Sequence, residues 1–377
     1  MDRRAPDLHS LRQTPALARW RMGLYRAPVM TRYLIPRGLI SGPAAARAVE
    51  AGVALPLAGG PLAFAAAETI ERQQGEKGRR RPVDLAMARA FAPELAEAFT
   101  APRAPWAGFD LKRPLIMGVI NVTPDSFSDG GDFAEASSAI DHGRAVLAAG
   151  ADIIDVGGES TRPGAKPVAP GEEAARVLPV VRTLAHAGAV VSIDTRHAAV
   201  MDQAVQAGAW IINDVTALTG DPDSARIAAK SGAAIALMHM LGDPQTMQQD
   251  PRYADVTCDL LDYFAARLSA LEQLGIDRAR IAVDPGIGFG KKDHHNLRLL
   301  DELSAFHMFG CPVLLGTSRK SFIGRLSKGE PPKQRVAGTL AGHQIGFERG
   351  VQIIRVHDVA EAFQARAIWA AAAGLHP

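Results

Sequence analysis

A chain of 377 residues, 47% apolar and 22% charged, is long enough for one large domain or two smaller ones around a substantial core. Its formal net charge of +2 is close to balance, which removes any general electrostatic case for a nucleic-acid partner. Its two cysteines, Cys258 and Cys311, lie too far apart in sequence for a metal-type or redox pair and suit a reduced, cytoplasmic compartment.

Residues 1–37 carry eight arginines against Asp2 and Asp7 and are interrupted by Pro6, Pro15 and Pro28. That composition reads as a solvated extension rather than a transit peptide, and no secretory signal pattern opens it. The weakly charged stretch 51–67 is too short, and too broken by Pro56, Gly59, Gly60 and Pro61, to span a bilayer, so no membrane partner is expected. Residues 77–82, with Lys77, Arg79, Arg80 and Arg81, read as an exposed loop, and 83–99 as one short helix. Pro102 and Pro105 then break the chain. A linker is placed near 100–112, dividing an extension of unassigned role, 1–111, from a catalytic domain, 112–377.

From Lys112 onward the pattern alternates. Apolar runs suited to strands occur at 115–120, 152–156, 190–193, 210–213, 234–238, 281–283, 313–315 and 352–356. Helical patterns at 134–149, 172–187 and 198–207 end at Gly150, Gly188 and Gly208, plausible C-terminal glycines. The last helix opens Asp358-Val-Ala-Glu361, the pattern of an N-cap with an acid three residues on. Eight strand–helix units over about 250 residues give an α/β fold, a (β/α)8 TIM barrel with an N-terminal extension. A doubly wound open sheet alternates in the same way but concentrates polar residues at one switch point. Here every strand end carries them, which favours the barrel.

In a barrel those ends meet at one mouth. Asp194, Asn213 and Asp284 arrive there from different strands. Two carboxylates and an amide suit a flat heterocycle rich in N–H donors, whereas capping of the following helices is the plainer alternative for Asp194. Ser318, Arg319 and Lys320 after the seventh strand, with Arg355 and His357 after the eighth, make a cationic, donor-rich corner of the kind that binds phosphate in this fold. No base stands beside Ser318 in sequence. The loops 122–134 and 158–172 have the length and Gly/Pro content of lids that complete a second substrate site, or else of plain surface loops. Residues 286–291 resemble a phosphate loop but carry Pro285 and Lys292 where that pattern needs Gly and Ser or Thr. His239, between methionines, reads as a packed barrel residue rather than a metal ligand.

The segments Asn121-Val-Thr-Pro-Asp-Ser-Phe-Ser-Asp-Gly-Gly131, Asp155-Val-Gly-Gly-Glu-Ser-Thr-Arg-Pro-Gly164, Ser192-Ile-Asp-Thr195 and Ile212-Asn-Asp-Val215 come in order along the chain. Asp284-Pro-Gly-Ile-Gly-Phe-Gly290, Ser318-Arg-Lys-Ser321 and Arg355-Val-His-Asp358 follow them. Together they resemble the dihydropteroate synthase family of the folate pathway, from about Pro114 to the end, with no motif missing. The resemblance implies condensation of 6-hydroxymethyl-7,8-dihydropterin diphosphate with 4-aminobenzoate, with Mg2+, and a homodimer. It implies a pterin pocket of Asp194, Asn213, Met238, Asp284, Phe289, Lys320 and Arg355. It implies a diphosphate site of Asn121, Thr161, Arg162, Arg355 and His357, with Asn121 at the metal. It implies an aminobenzoate site of Phe127, Thr161, Pro163, Ser318 and Arg319, and catalytic roles for Asp194, Lys320, Arg355 and His357. A pterin-binding methyltransferase domain would share the barrel but need no diphosphate corner. An inactive pterin-binding paralogue would be expected to have lost some of these residues.

Overall fold

The computed structural model describes residues 30–122, 131–160, 165 and 167–375, with the side chains of 131–135 excepted. Its strands fall into two sheets. The first is antiparallel and N-terminal, with β1 (Met30–Ser41), β2 (Leu55–Leu57), β3 (Leu62–Gln73) and β4 (Arg79–Val83). β3 pairs with β1 along its whole length on one edge, and with β2 and β4 at opposite ends of the other. The second is the barrel, all parallel, with β5 (Leu115–Asn121), β6 (Ile153–Gly157), β7 (Val191–Asp194), β8 (Ile211–Asp214), β9 (Ala234–Met238), β10 (Ile281–Asp284), β11 (Leu314–Leu315) and β12 (Ile353–Val356). Its order is β10-β9-β8-β7-β6-β5-β12-β11. A bridge between Val283 and Val313, with Val283 N–H donating to the Pro312 carbonyl at 2.9 Å, joins the two ends.

Several strands run one residue past the apolar run that marks them in sequence. Backbone pairing carries Asn121, Asp194, Asp214 and Asp284 into the sheet. Asp194 is thereby set opposite Asn213, and Asn121 opposite Gly157. The helices end as their glycines suggest, with Gly150, Gly188 and Gly208 in positive φ.

The barrel floor is filled rather than open. Leu115, Met117, Ile153, Ile211, Leu314, Ile353 and three alanines, Ala234, Ala236 and Ala282, form one buried cluster with Trp106 and Leu111. The Trp106 indole is 1% exposed and donates to the Arg280 carbonyl at 2.9 Å, so the residues that open the barrel also stopper it.

The N-terminal region departs from a solvated extension. Residues 1–29 lie outside the described part, but 30–37 belong to β1, where Tyr33, Leu34, Ile35 and Pro36 are buried. Arg79, Arg80 and Arg81 are strand β4, not a loop. The single helix expected over 83–99 is two, Leu85–Phe91 and Pro93–Thr100. Pro93 lacks the N–H to continue the first and opens the second, where a missing donor costs nothing. The sheet shares a buried apolar cluster with the barrel helices, packs on the 3-10 segment Leu303–Phe309 and reaches helix Val256–Gln273 through side-chain hydrogen bonds. Ser304 Oγ donates to the Pro36 carbonyl at 3.0 Å and Arg103 to that of His307 at 2.8 Å. No helix among the described residues is long and apolar enough to cross a membrane.

Candidate active site at the barrel mouth

Strand residues alternate in direction, so neighbours at a strand end part company. Asp214 is fully buried and spends its carboxylate on Thr216 N and Oγ1, both at 2.7 Å, and on Leu218 N at 2.9 Å, holding a turn in which Ala217 and Leu218 have positive φ. Burial pushes its carboxyl up to about 6. Asn213 instead faces the mouth and donates to Asp155 Oδ2 at 3.1 Å.

At the centre stands Arg355. Its Nε donates to Asp155 Oδ2 and its Nη2 to Asp194 Oδ2, each at 2.6 Å, so one guanidinium ties β12 to β6 and β7. Burial works against the Arg355 charge, but Asp155 and Asp194 more than offset it and hold its proton tightly. Burial likewise raises the Asp194 carboxyl, with Arg355 opposing. Among the described residues Asp155 Oδ1 has no partner.

The loop after β10 forms one wall. Asp284 Oδ1 accepts from Gly286 N at 2.7 Å, folding the loop onto its own carboxylate. Gly286 has φ 66, and a Cβ there would sit 2.1 Å from the His239 carbonyl oxygen, so no other residue fits. Lys320 Nζ donates to the Ile287 carbonyl and lies 4.7 Å from the Phe289 ring centroid. Burial lowers the Lys320 amine to about 8, with Asp284 opposing, and burial raises Asp284, with Lys320 opposing. Met238, 4% exposed, packs beneath this loop.

Lys291 is turned inward. Only 1% exposed, its amine meets His239 Nδ1 at 3.0 Å and the carbonyls of Phe289 at 2.9 Å and His239 at 3.2 Å. Burial depresses the proton affinity of both Lys291 and His239. The amine therefore props the loop rather than greeting an anion, and His239 sits edge-on to Tyr263 as a packed residue.

On the cationic side, Ser318 Oγ lies 2.9 Å from His357 Nδ1 and accepts from His357 N at 3.1 Å. The segments that follow β11 and β12 thus bring an imidazole beside Ser318 that sequence proximity did not. With one lone pair already taken by that N–H, and with Asp358 engaged elsewhere, the pair fixes the imidazole rather than forming a nucleophile triad. Asp358 does not cap its helix as its sequence pattern suggests. Its carboxylate is forked by Arg319, with Nε at 2.9 Å. Arg319 itself has φ 56, held by Thr339 Oγ1 on its N–H at 2.9 Å and by Arg335 on its carbonyl at 3.0 Å.

The fold thus draws Asp194, Asn213, Met238, Asp284, Phe289, Ser318, Arg319, Lys320, Arg355 and His357 to one end of the barrel, with Asn121 half-buried at the end of β5. Phe127, Thr161, Arg162 and Pro163 lie outside the described residues. Asp155, Lys291 and the paired role of Asp358 were missed from sequence. Asp155 was visible only as a strand-end acid, since its partner Arg355 is 200 residues away.

Comparison with known proteins gives the following matches. The model of the pterin binding enzyme family matches residues 117–357. The dihydropteroate synthase of Escherichia coli K12 is 46% identical over 257 residues, spanning 68% of this chain and 90% of that protein. The Yersinia pestis dihydropteroate synthase in a sulfonamide drug complex superposes with TM-score 0.67 at 46% identity, covering 71% of this chain and 96% of that one. The Xanthomonas albilineans dihydropteroate synthase with 4-aminobenzoic acid gives TM-score 0.67 at 43% identity, covering 72% and 97%.

Proposed function

The chain belongs to the dihydropteroate synthase family of pterin-binding enzymes, and from this premise we propose how its mouth carries out the family's transferase reaction in folate biosynthesis. A pterin diphosphate and 4-aminobenzoate are the substrates, and dihydropteroate and diphosphate the products. The observation that carries the reading is the convergence of Asp194, Asn213 and Asp284 from three strands, with Lys320 from the loop after β11, around Arg355. Asp284 and Asn213 present an acceptor and an amide to the donor-rich edge of the pterin, Lys320 presents a donor, and Met238, Phe289 and the Arg355 plane flank its faces. Asp155 belongs to the same machinery, because it aims Arg355 and Asn213 together.

An aryl amine is a weak nucleophile, so the residues must mainly favour departure of diphosphate. Arg355 and His357 receive the developing negative charge, and Ser318 keeps His357 oriented for it. Asp194, held by Arg355, stabilises positive charge gathering on the pterin methylene. Ser318 and Arg319, with Phe127, Thr161 and Pro163 from the two loops, form the aminobenzoate site. Asn121, Thr161 and Arg162 complete the diphosphate site.

Among the described residues no group of three or more His, Cys, Asp or Glu could cage a metal. A single amide oxygen from Asn121 beside a diphosphate suits Mg2+, which takes one or two protein oxygens plus phosphate and water. When bound, Mg2+ neutralises charge on the leaving diphosphate.

The catalytic unit is 112–377, and the described residues 30–111 supply none of the side chains gathered at the mouth. The same reading includes a homodimer and a reducing cytoplasm, the latter supported by the buried free thiols Cys258 and Cys311. Diphosphate release measured with each substrate omitted in turn tests the reaction: release needing both pterin diphosphate and 4-aminobenzoate is expected. Release indifferent to the amine would sink it.

A further inference from the structure

The family match begins at residue 117, so it says nothing about the N-terminal sheet. That sheet meets the barrel through charge. Arg72 is 3% exposed and its Nη2 donates to Asp259 Oδ1 at 2.6 Å and to Asp262 Oδ2 at 2.8 Å, and the Tyr33 hydroxyl also donates to Asp262. Arg80 reaches Asp255 Oδ2 at 2.9 Å and Glu302 Oε1 at 2.9 Å. Arg37 joins Glu302 at 3.2 Å and Asp301 at 2.9 Å.

These carboxylates also organise the chain just before helix Val256–Gln273. Asp255 is its N-cap, accepting from Cys258 N at 3.3 Å. Asp259, with one oxygen on Arg72, gives the other to Ala254 N at 2.9 Å and Asp255 N at 3.3 Å. The residue next in line is Tyr253, whose hydroxyl donates to the Gly290 carbonyl at 2.7 Å while its ring sits edge-on to His295, 4.9 Å between centroids. Gly290 adjoins Phe289 and Lys291 in the loop that walls the mouth. Residues 239–255, which link β9 to this helix, contain no helix or strand of their own, and so long a connection keeps one shape only where side chains pin it.

We propose that the N-terminal sheet braces the pterin side of the mouth. Arg72 and Arg80 act as positioning residues, through Asp259, Asp255 and the Tyr253–Gly290 hydrogen bond, on the loop that follows Asp284 and carries Phe289. The inference rests on the reading of that loop as the pterin wall. The arginines touch no substrate, and a sheet that merely thickened the protein would move stability alone.

The test uses the full chain and four variants: Tyr253→Phe, which deletes one hydroxyl, Arg80→Met, the double variant, and Asp284→Asn as a control. KM for pterin diphosphate, KM for 4-aminobenzoate, kcat and Tm are measured for each. Tyr253→Phe and Arg80→Met should each raise the pterin KM about 5-fold and leave the aminobenzoate KM unchanged. The double variant should be no worse than the more affected single one, since both break one path. A lower Tm with the pterin KM unmoved overturns the brace, as does a double variant whose pterin KM multiplies to about 25-fold. If Arg80→Met does not fold, an unchanged pterin KM in Tyr253→Phe decides against the proposal. If Asp284→Asn leaves the pterin KM unchanged, the pterin wall itself has been misread, a different failure.

Discussion

Two desolvated cations, Lys320 half-buried at the mouth and Arg72 buried under the N-terminal sheet, show contrary outcomes of leaving water. Both lose water. Arg72 gains Asp259 and Asp262, which hold its proton more tightly than solvent does despite burial. Lys320 gains a carbonyl, the face of an aromatic ring and an Asp284 carboxylate that only partly offsets burial, so its proton affinity falls to about 8. Arg72 is thus a charge satisfied by the fold, although its Nε and Nη1 find no partner among the described residues. Under the proposed function, Lys320 is a charge the fold tolerates for the sake of a ligand. A protein places a dissatisfied cation where something else will complete it.

That contrast can be broken from either side. Arg72→Met strands two carboxylates in an apolar interface and should cost about 3–5 kcal/mol, the usual penalty for removing one partner of a buried pair. A urea melt would show it as a lower midpoint, and kcat per folded molecule at saturating pterin diphosphate should stay within about 2-fold of wild type, the loss of the brace appearing in the pterin KM. A midpoint equal to that of wild type would mean the interface is wetter than its burial implies.

Lys320→Ala should do the reverse. A donor aimed at the substrate is lost, and kcat/KM should fall about 10²- to 10³-fold. Because the charge was paying for its own burial, Tm should hold or rise.

The smallest effect separates the two groups by pH. The unfolded lysine has its ordinary pKa of 10.5 and the folded one about 8, so between these values the unfolded state binds more protons. The Lys320 contribution to stability should therefore rise with pH across that window while pterin affinity declines over the same range. Titration of pterin binding from pH 7 to 10 in wild type and Lys320→Ala checks it. Equal pH profiles in the two proteins would remove Lys320 from the pterin site.

How much of this could be read in advance follows the same division. Each barrel strand is an apolar run, closed in all but β9 by an Asp, Asn, Gly or Arg, a pattern set by burial on both faces and a polar mouth, and it is visible without coordinates. The N-terminal sheet was not visible. β3 opens Leu-Ala-Phe-Ala-Ala-Ala, alanine-rich and poor in β-branched residues, and β4 opens with three arginines, so neither resembles a strand until its partners are known. The site divides in the same way. Asp194, Asp284 and Lys320 announce themselves by position. Asp155 with Arg355, and Ser318 with His357, are pairings across 200 and 39 residues that only closure of the barrel creates. Lys291 sits in a glycine loop with no periodicity to say which way it turns.

The central claim is that charge at the mouth meets a ligand directly, whereas charge under the sheet acts on the mouth only through the fold. Diphosphate release and thermal midpoint, measured on the same samples of wild type, Lys320→Ala and Arg72→Met, test it most directly. The account predicts a crossed result: Lys320→Ala loses rate at an unchanged or higher midpoint, and Arg72→Met loses midpoint at a nearly unchanged kcat. Rate and midpoint falling together in both variants would contradict it.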